Sequence, residues 1–439
     1  MTWQVGMARR VMTPETPVWL AGYGTERAPE GKVHDLWLKV LALRDHAGKR
    51  VVMVTTDHMG MSKTIYERLY ARLRARCGLD RAEFMLTFSH NHCGPILTDD
   101  LVDYYPLDEE QHRLVNEYSL WMEDRVVEAV EEALGDWRPA LLSKGEGTCT
   151  FAVNRRENTE AEVAQMLAEG KPLKLKGVVD HDVPVLAIRD DGGELLGVLF
   201  GYACHPTTLA FNQWCGDYPG FAQIGIEAAH PGAAAMFFNA CGADQNPIPR
   251  RTLELAACYG QMLAAAVNAV LAKPMQPVST GLGLRTAFEF VDLPYGEIVT
   301  REKLLPIAHG KSALHARWAK RMIKMIDDGV IFPTAYPYPV QAWRIGDELL
   351  LLGIGGEAVV DYSLRFKREF GPGTWVCGYA NDMAAYIPSR RVWEEGGYEG
   401  GPHLDEYGRP AWRWAGDVED RVAGAVHRVV QRVSAASAQ

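Results

Sequence analysis

The chain has no surplus of positive charge. Its 46 Lys and Arg stand against 56 Asp and Glu, a formal net charge of -10. Without spare cations to neutralise phosphates, a nucleic-acid partner is excluded. No uninterrupted apolar run approaches the roughly 18 residues of a membrane helix, so no transmembrane segment is expected. The N-terminus, MTWQVGMARRVMTPETPVWLAGYG, lacks the basic segment and apolar stretch of a secretory leader, and the expectation is a cytoplasmic protein. The eight cysteines, at 77, 93, 149, 204, 215, 241, 258 and 377, form no C-x-x-C pair and no short-range framework. This argues against a thiolate zinc site and for free, mostly buried thiols in a reducing compartment. Internal repeats, low-complexity tracts and Gly/Pro/Ser linkers are missing too.

What is present is an ordinary globular balance, 47% hydrophobic and 23% charged, with enough chain for a large core. Apolar runs of strand length recur: VLALRD, RVVMVTTD, EFMLTF, VPVLAIRD, LLGVLFGYA, AAAMFF, ELLLLGIG and TWVCGYA. Helical patterns lie between several of them. In QHRLVNEYSLWMEDRVVEAVEEALG, Leu114, Tyr118, Met122, Val126 and Val130 recur every fourth residue and make one buried face. The fold class is therefore α/β. Because HAGK in VLALRDHAGKRVVMVTTD reads as a hairpin loop, the expectation is a mixed β-sheet core flanked by helices rather than a parallel sheet. Residues 1–439 are expected to form a single domain, with a basic helical segment at about 300–330 as an insertion, a lid or a solvated helix face. The final stretch reads as an amphipathic helix with a frayed tail.

Chemistry collects at the ends of these runs. In FSHNHCGP, His90 and His92 follow an apolar run with one residue between them, and in a strand that spacing projects both to one side. His205 follows LLGVLFGYA. Asn239 and Asp244 lie in NACGADQNP after AAAMFF, Glu357 follows ELLLLGIG, and Asn381, Asp382 and Tyr386 follow TWVCGYA. Each has a plain alternative: a structural histidine, a favourable charge at a helix start, or Asn and Asp in a turn. Strand ends in α/β folds gather at one edge of the sheet, where sites form. Two or three imidazoles with a carboxylate make a catalytic zinc set that keeps one position open for water, a natural arrangement for hydrolysing an amide or ester.

These motifs resemble the neutral and alkaline non-lysosomal ceramidases, which are zinc amidases. The resemblance runs in order through GYGTERAPEGKVHDLWLKVLAL, FSHNHCGP, FAVNRR, GYACHPTTL, NACGADQNP, GGEAVVDY and YANDMAAYIPSRRVWEEGGYEGG. It implies a ceramidase-like catalytic domain holding one Zn2+ per chain on His90, His205, Glu357 and Tyr386. It further implies that His92 and Tyr398 face the developing oxyanion and that Arg155 contacts substrate near the scissile bond. Asn239, Asp244, Asn381 and Asp382 are candidate site-lining residues. Where ceramidases carry a serine after the AAAMFF-like strand, this chain has Ala240 and Cys241, which favours direct attack by metal-activated water. The expectation is a catalytic domain without the C-terminal β-sandwich that many ceramidases append. The expectation is thus a zinc-dependent hydrolase of a small-molecule N-acyl substrate, on an amino alcohol, amino sugar or related amine, rather than of ceramide itself. The rivals are a zinc esterase or lactonase, and a ligand-binding protein without catalysis.

Overall fold

The computed structural model describes residues 2–99, 101–171 and 173–435. The expected frayed tail falls mainly on residues 436–439, outside them.

Alternation of side chains decides the layers. In β1 (Trp3–Val11), β2 (Trp37–Arg44) and β3 (Arg50–Thr56), neighbouring residues face opposite sides, and both sides are buried. Val40, Ala42, Val52 and Val54 enter one core, while Leu41, Leu43, Val51 and Met53 enter another. A sheet apolar on both faces has to be covered twice. The HAGK turn closes β2 onto β3 as an antiparallel hairpin, with Asp45 N donating to Lys49 O at 2.9 Å. β4 (Phe84–Phe88) then joins β3 in parallel. On the other side the sheet runs from β1 through β5 (Arg138–Thr148), β7 (Asp182–Arg189) and β8 (Leu195–Tyr202) to β9 (Ala234–Asn239). β11 (Gln276–Pro277) pairs beside β5, and β6 (Ala152–Asn154) with β10 (Gln245–Pro247) forms a separate ribbon.

A second mixed sheet holds β12 (Leu284–Pro294), β13 (Ala335–Ile345), β14 (Leu349–Ile354) and β16 (Trp375–Cys377). Its Trp343, Ile345, Leu351 and Trp375 pack directly on Leu41, Leu43, Met53, Leu186 and Leu199 of the first. The expected mixed-sheet core is therefore two sheets face to face. Helices cover the outer faces: α1 (Lys63–Cys77) and α2 (Glu109–Gly135) over β1–β4, α4 (Asp217–Ala229) and α5 (Leu253–Leu271) over β7–β9, α8 (Val360–Phe370) and α11 (Val418–Ser434) over the second sheet. The face of α2 read from the sequence, Leu114 to Val130, is buried. By length and composition α5 is apolar enough to cross a membrane, but Tyr259, Leu263, Val267 and Leu271 lie in the core against β7–β9. All eight cysteines are free, and only Cys258 is exposed.

Two features bring the strand ends together. The first sheet curves until its outermost strands meet, so that Asn239 Nδ2, at the end of β9, donates to Ser89 O just beyond β4 at 3.1 Å. The second sheet is stitched into the same corner by bridges between Thr87 and Ala380 and between Ala240 and Cys377. Near it, α6 (Arg301–Ala308) and α7 (Ala313–Asp327) form the helical pair expected at 300–330, with a small core of their own around Trp318 and Met322.

The close approach of α2 to β1 depends on Gly6, where a Cβ would lie 1.7 Å from Ala133 O. Gly6→Ala is expected to destabilise the protein by about 1–3 kcal/mol through overpacking. The urea unfolding midpoint should fall with an unchanged slope; an unaltered midpoint would contradict this packing.

Candidate metal centre

His90 does not sit on a strand. β4 ends at Phe88, and His90 takes a left-handed φ of 65° in the following loop. The pairing of His90 with His92 is thus a property of the loop and not of strand alternation, which corrects the expectation from their spacing. The left-handed backbone costs on the order of 1 kcal/mol and is held by the segment after β3. His90 N donates to His58 O at 3.0 Å, and His90 Nδ1 donates to Met59 O at 2.7 Å. The His92 ring rests on Gly22, where a Cβ would meet it at 2.4 Å and where φ is +114°.

His205 follows β8, and its Nδ1 donates to Gly242 O at 2.9 Å. Glu357 opens β15 (Glu357–Ala358) and Tyr386 opens β17 (Tyr386–Ile387); the two strands pair in parallel with Glu357 opposite Tyr386. One register therefore places both side chains.

A carbonyl oxygen can only accept, so both Nδ1 atoms carry a proton, and in the neutral ring each Nε2 presents a lone pair. These lone pairs aim at one atom. Glu357 Oε2 lies 3.2 Å from His90 Nε2 and 2.9 Å from His205 Nε2, is buried, and has no hydrogen-bond donor. Burial, with the nearby Arg155 charge, pushes the His205 imidazole down to about 4, so at neutral pH it brings no proton to the carboxylate. A buried anion facing neutral lone pairs calls for a cation between them. Tyr386 Oη stands 3.4 Å from His205 Nε2, and His92 Nε2 stands 3.3 Å from His90 Nε2. Ligands about 2.0–2.1 Å from a tetrahedral ion are about 3.3 Å apart, so these spacings suit a bound metal ion. The three imidazoles alone form a cluster able to hold one.

The other expected residues are distributed around this point. Arg155 donates through Nη2 to Tyr386 Oη at 3.0 Å and through Nε to the buried Glu399 at 2.7 Å. Burial, and then the Glu357 charge, keep the Tyr386 phenol well above its ordinary value, with Arg155 pulling the other way. Tyr398 packs its ring 5.1 Å from that of Tyr386, and its hydroxyl donates to Glu406 at 2.8 Å. Desolvation, and then the two neighbouring imidazoles, hold the half-buried His92 well below the usual histidine range. The cavity over the donors measures about 30 Å³, room for about one water.

Asn239, Asp244, Asn381 and Asp382 are buried, but none of them lines that cavity. Backbone and side-chain donors elsewhere engage them. Asn239 bonds Ser89 O, Asp244 accepts from Val360 N at 2.8 Å, Asn381 accepts from Leu86 N at 2.9 Å, and Asp382 accepts from Tyr336. They hold the strand ends in place from behind. Cys241 is packed into the core behind the second sheet, and burial raises its thiol well above the ordinary value.

The sequence marks EEGGYEGGPHLDEYG as a mobile rim of the site or a plain surface loop, without naming the side chains that form the roof. Tyr407 donates to Glu357 Oε1 and so leaves Oε2 as the free oxygen; Glu406 lines the cavity, and His403 sets its ring 5.4 Å from that of Tyr386. All three come from GGPHLDEYG, whose glycines mark a loop without indicating which side chains turn inward. The basic helix α7 buttresses this roof. Arg317 donates to the carbonyls of Asp103 and Tyr104 at 2.9 Å, Arg321 Nε to both Asp103 carboxylate oxygens at 2.9 Å, and Trp318 to Arg409 O at 3.0 Å.

No protein-family model matches the chain. A curated neutral ceramidase of Pseudomonas aeruginosa is 23% identical over 215 residues, 48% of this chain and 31% of that protein, so the match spans only about a third of the relative's length. The crystal structure of neutral ceramidase from Pseudomonas aeruginosa superposes with a TM-score of 0.72 at 20% identity, covering 98% of this chain and 75% of that one. A ceramidase complexed with C2 gives 0.73 at 19% identity, covering 100% and 77%. The fold is neutral ceramidase-like.

Added zinc is expected to raise the melting temperature of metal-stripped wild-type protein, by the equivalent of about 4 kcal/mol at a thousandfold excess over Kd. His205→Ala and Glu357→Ala should show no such rise. Tyr407→Phe should keep the site but bind zinc about 10–100-fold more weakly, as measured by competition with a chelating dye. Equal affinity would deny Tyr407 its role in orienting Glu357.

Proposed function

We propose that the protein is a zinc-dependent hydrolase of linear amides, removing an N-acyl group from an amino alcohol, amino sugar or related amine with water as the nucleophile. The observation that carries this reading is the convergence of imidazole lone pairs on the unpartnered Oε2 of Glu357, supported by the ceramidase-like fold. His90, His205, Glu357 and Tyr386 are the residues assigned to hold the ion. Zinc bound there supplies a Lewis acid and brings the pKa of a water down to near 7.

The remaining steps belong to the chain. Arg155, by donating to Tyr386 Oη, favours the phenolate form needed for ligation, and its buried partner Glu399 fixes the guanidinium in place. His92, beside His90, donates to the oxyanion that forms as the carbonyl becomes tetrahedral. Tyr398 adds a second donor by exchanging its bond to Glu406 for one to the oxyanion. Ala240 and the core-packed Cys241 offer no hydroxyl nucleophile in the turn after β9, which favours direct attack by water, whose proton passes to the leaving amine through a nearby acid as the C–N bond breaks.

With N-acyl amides of graded chain length, replacing any of the four assigned ligands is expected to abolish turnover. His92→Ala should lower kcat about 10²–10³-fold while the protein still carries zinc by elemental analysis. Loss of zinc in that variant would move His92 into the ligand set. Rapid turnover of simple esters without cleavage of any amide would replace the amidase reading with the esterase one.

A further inference from the structure

An open cleft of about 490 Å³ lies beside the metal cavity and shares Tyr398 with it. Small-molecule pockets are mostly apolar; here Ile248 is the one aliphatic side chain in the lining, and three guanidinium groups, from Arg155, Arg156 and Arg250, dominate it. The wall offers little to a long alkyl chain and much to a polar group.

The three arginines are not equivalent. Arg155 and Arg156 both bond Glu399, at 2.7 and 2.6 Å, and that carboxylate is only 3% exposed. Such a buried pairing is costly to break. Arg250 is itself well covered, at 14% exposed, and is aimed by its Nη1 bond to Thr207 Oγ1 at 3.1 Å. Its acidic partner is Glu160, which is 44% exposed and also stands 3.7 Å from Arg251. A solvated carboxylate holding a pre-aimed guanidinium is readily exchanged, and the planar fork of Arg250 suits a carboxylate or phosphate from a ligand equally well.

We infer that the substrate carries a compact anionic group, carboxylate or phosphate, next to its scissile amide, and that Arg250 binds this group in place of Glu160. The inference rests on the amide-hydrolase reading for its substrate class, and Arg250 acts as a specificity residue outside the reacting atoms.

The test uses three amides with the zinc-loaded full chain: neutral N-acetylethanolamine, N-acetyl-O-phosphoethanolamine with the anion on the amine side, and N-succinylethanolamine with it on the acyl side. At least one anionic amide should be preferred by tenfold or more in kcat/KM, and which one tells which side of the amide faces the cleft. Arg250→Gln should erase the preference through KM, and Arg250→Lys should restore it in part. Glu160→Gln, by removing the competing carboxylate, should lower KM for the anionic amide. Equal use of all three amides, unaffected by Arg250→Gln, would overturn the inference while leaving the hydrolase reading standing. If none is cleaved, calorimetric binding decides: anionic amides binding more tightly than the neutral one, and more weakly to Arg250→Gln, would uphold the cleft and sink the amidase reading, whereas no difference in binding would overturn both.

Discussion

A single buried oxygen governs the arrangement. Glu357 Oε2 is excluded from solvent, faces the lone pairs of two imidazoles and has no donor of its own. Removing a carboxylate from water costs several kcal/mol unless a charge or hydrogen bond compensates, and the neutral His205 brings neither. The surroundings nevertheless enforce the conflict. Met59 O and Gly242 O fix the protons of the rings on the far nitrogens, and Tyr407 occupies the other oxygen of Glu357. An arrangement that orients three groups against their mutual repulsion is pre-organised for a cation.

The fold supplies that arrangement by geometry rather than by local sequence. His90 follows the edge strand β4 and His205 follows β8, next to the other edge strand of the same curved sheet, and Glu357 and Tyr386 belong to two short strands in register beyond the second sheet. Packing the sheets face to face brings the four to one corner. The roof that closes the cavity hangs from α7, whose arginines turn inward to carry loops instead of facing solvent. On the proposed reading, the small cavity over the donors would take the reacting carbonyl and the large arginine-lined cleft the group that distinguishes one substrate from another.

Much of this was legible in the chain. Strand and helix positions followed from apolar periodicity, because a strand covered on both faces and a helix with one buried stripe leave different patterns, as β2 and α2 show. The donor types stood at strand ends as expected. The errors have physical causes. His90 and His92 were paired by strand alternation, yet a left-handed residue after β4 does the pairing. Asn381 and Asp382 sit in the same motif as Tyr386, but their side chains satisfy the backbone of β4 and the Tyr336 hydroxyl, since a buried polar group bonds to the nearest partner whether or not a site is close by.

By itself the sequence determined the local elements, the free and mostly buried thiols, the lack of surplus positive charge and the inventory of imidazole, carboxylate and phenol groups, because these depend on composition and short-range pattern. Only the tertiary structure decided which of those groups meet. Tyr407 and Arg250 carry no signature in their own segments, and their roles arise from partners far along the chain, at Glu357 and Glu160. Such contacts are set by how two sheets curve and stack, a long-range property that no short stretch of residues encodes.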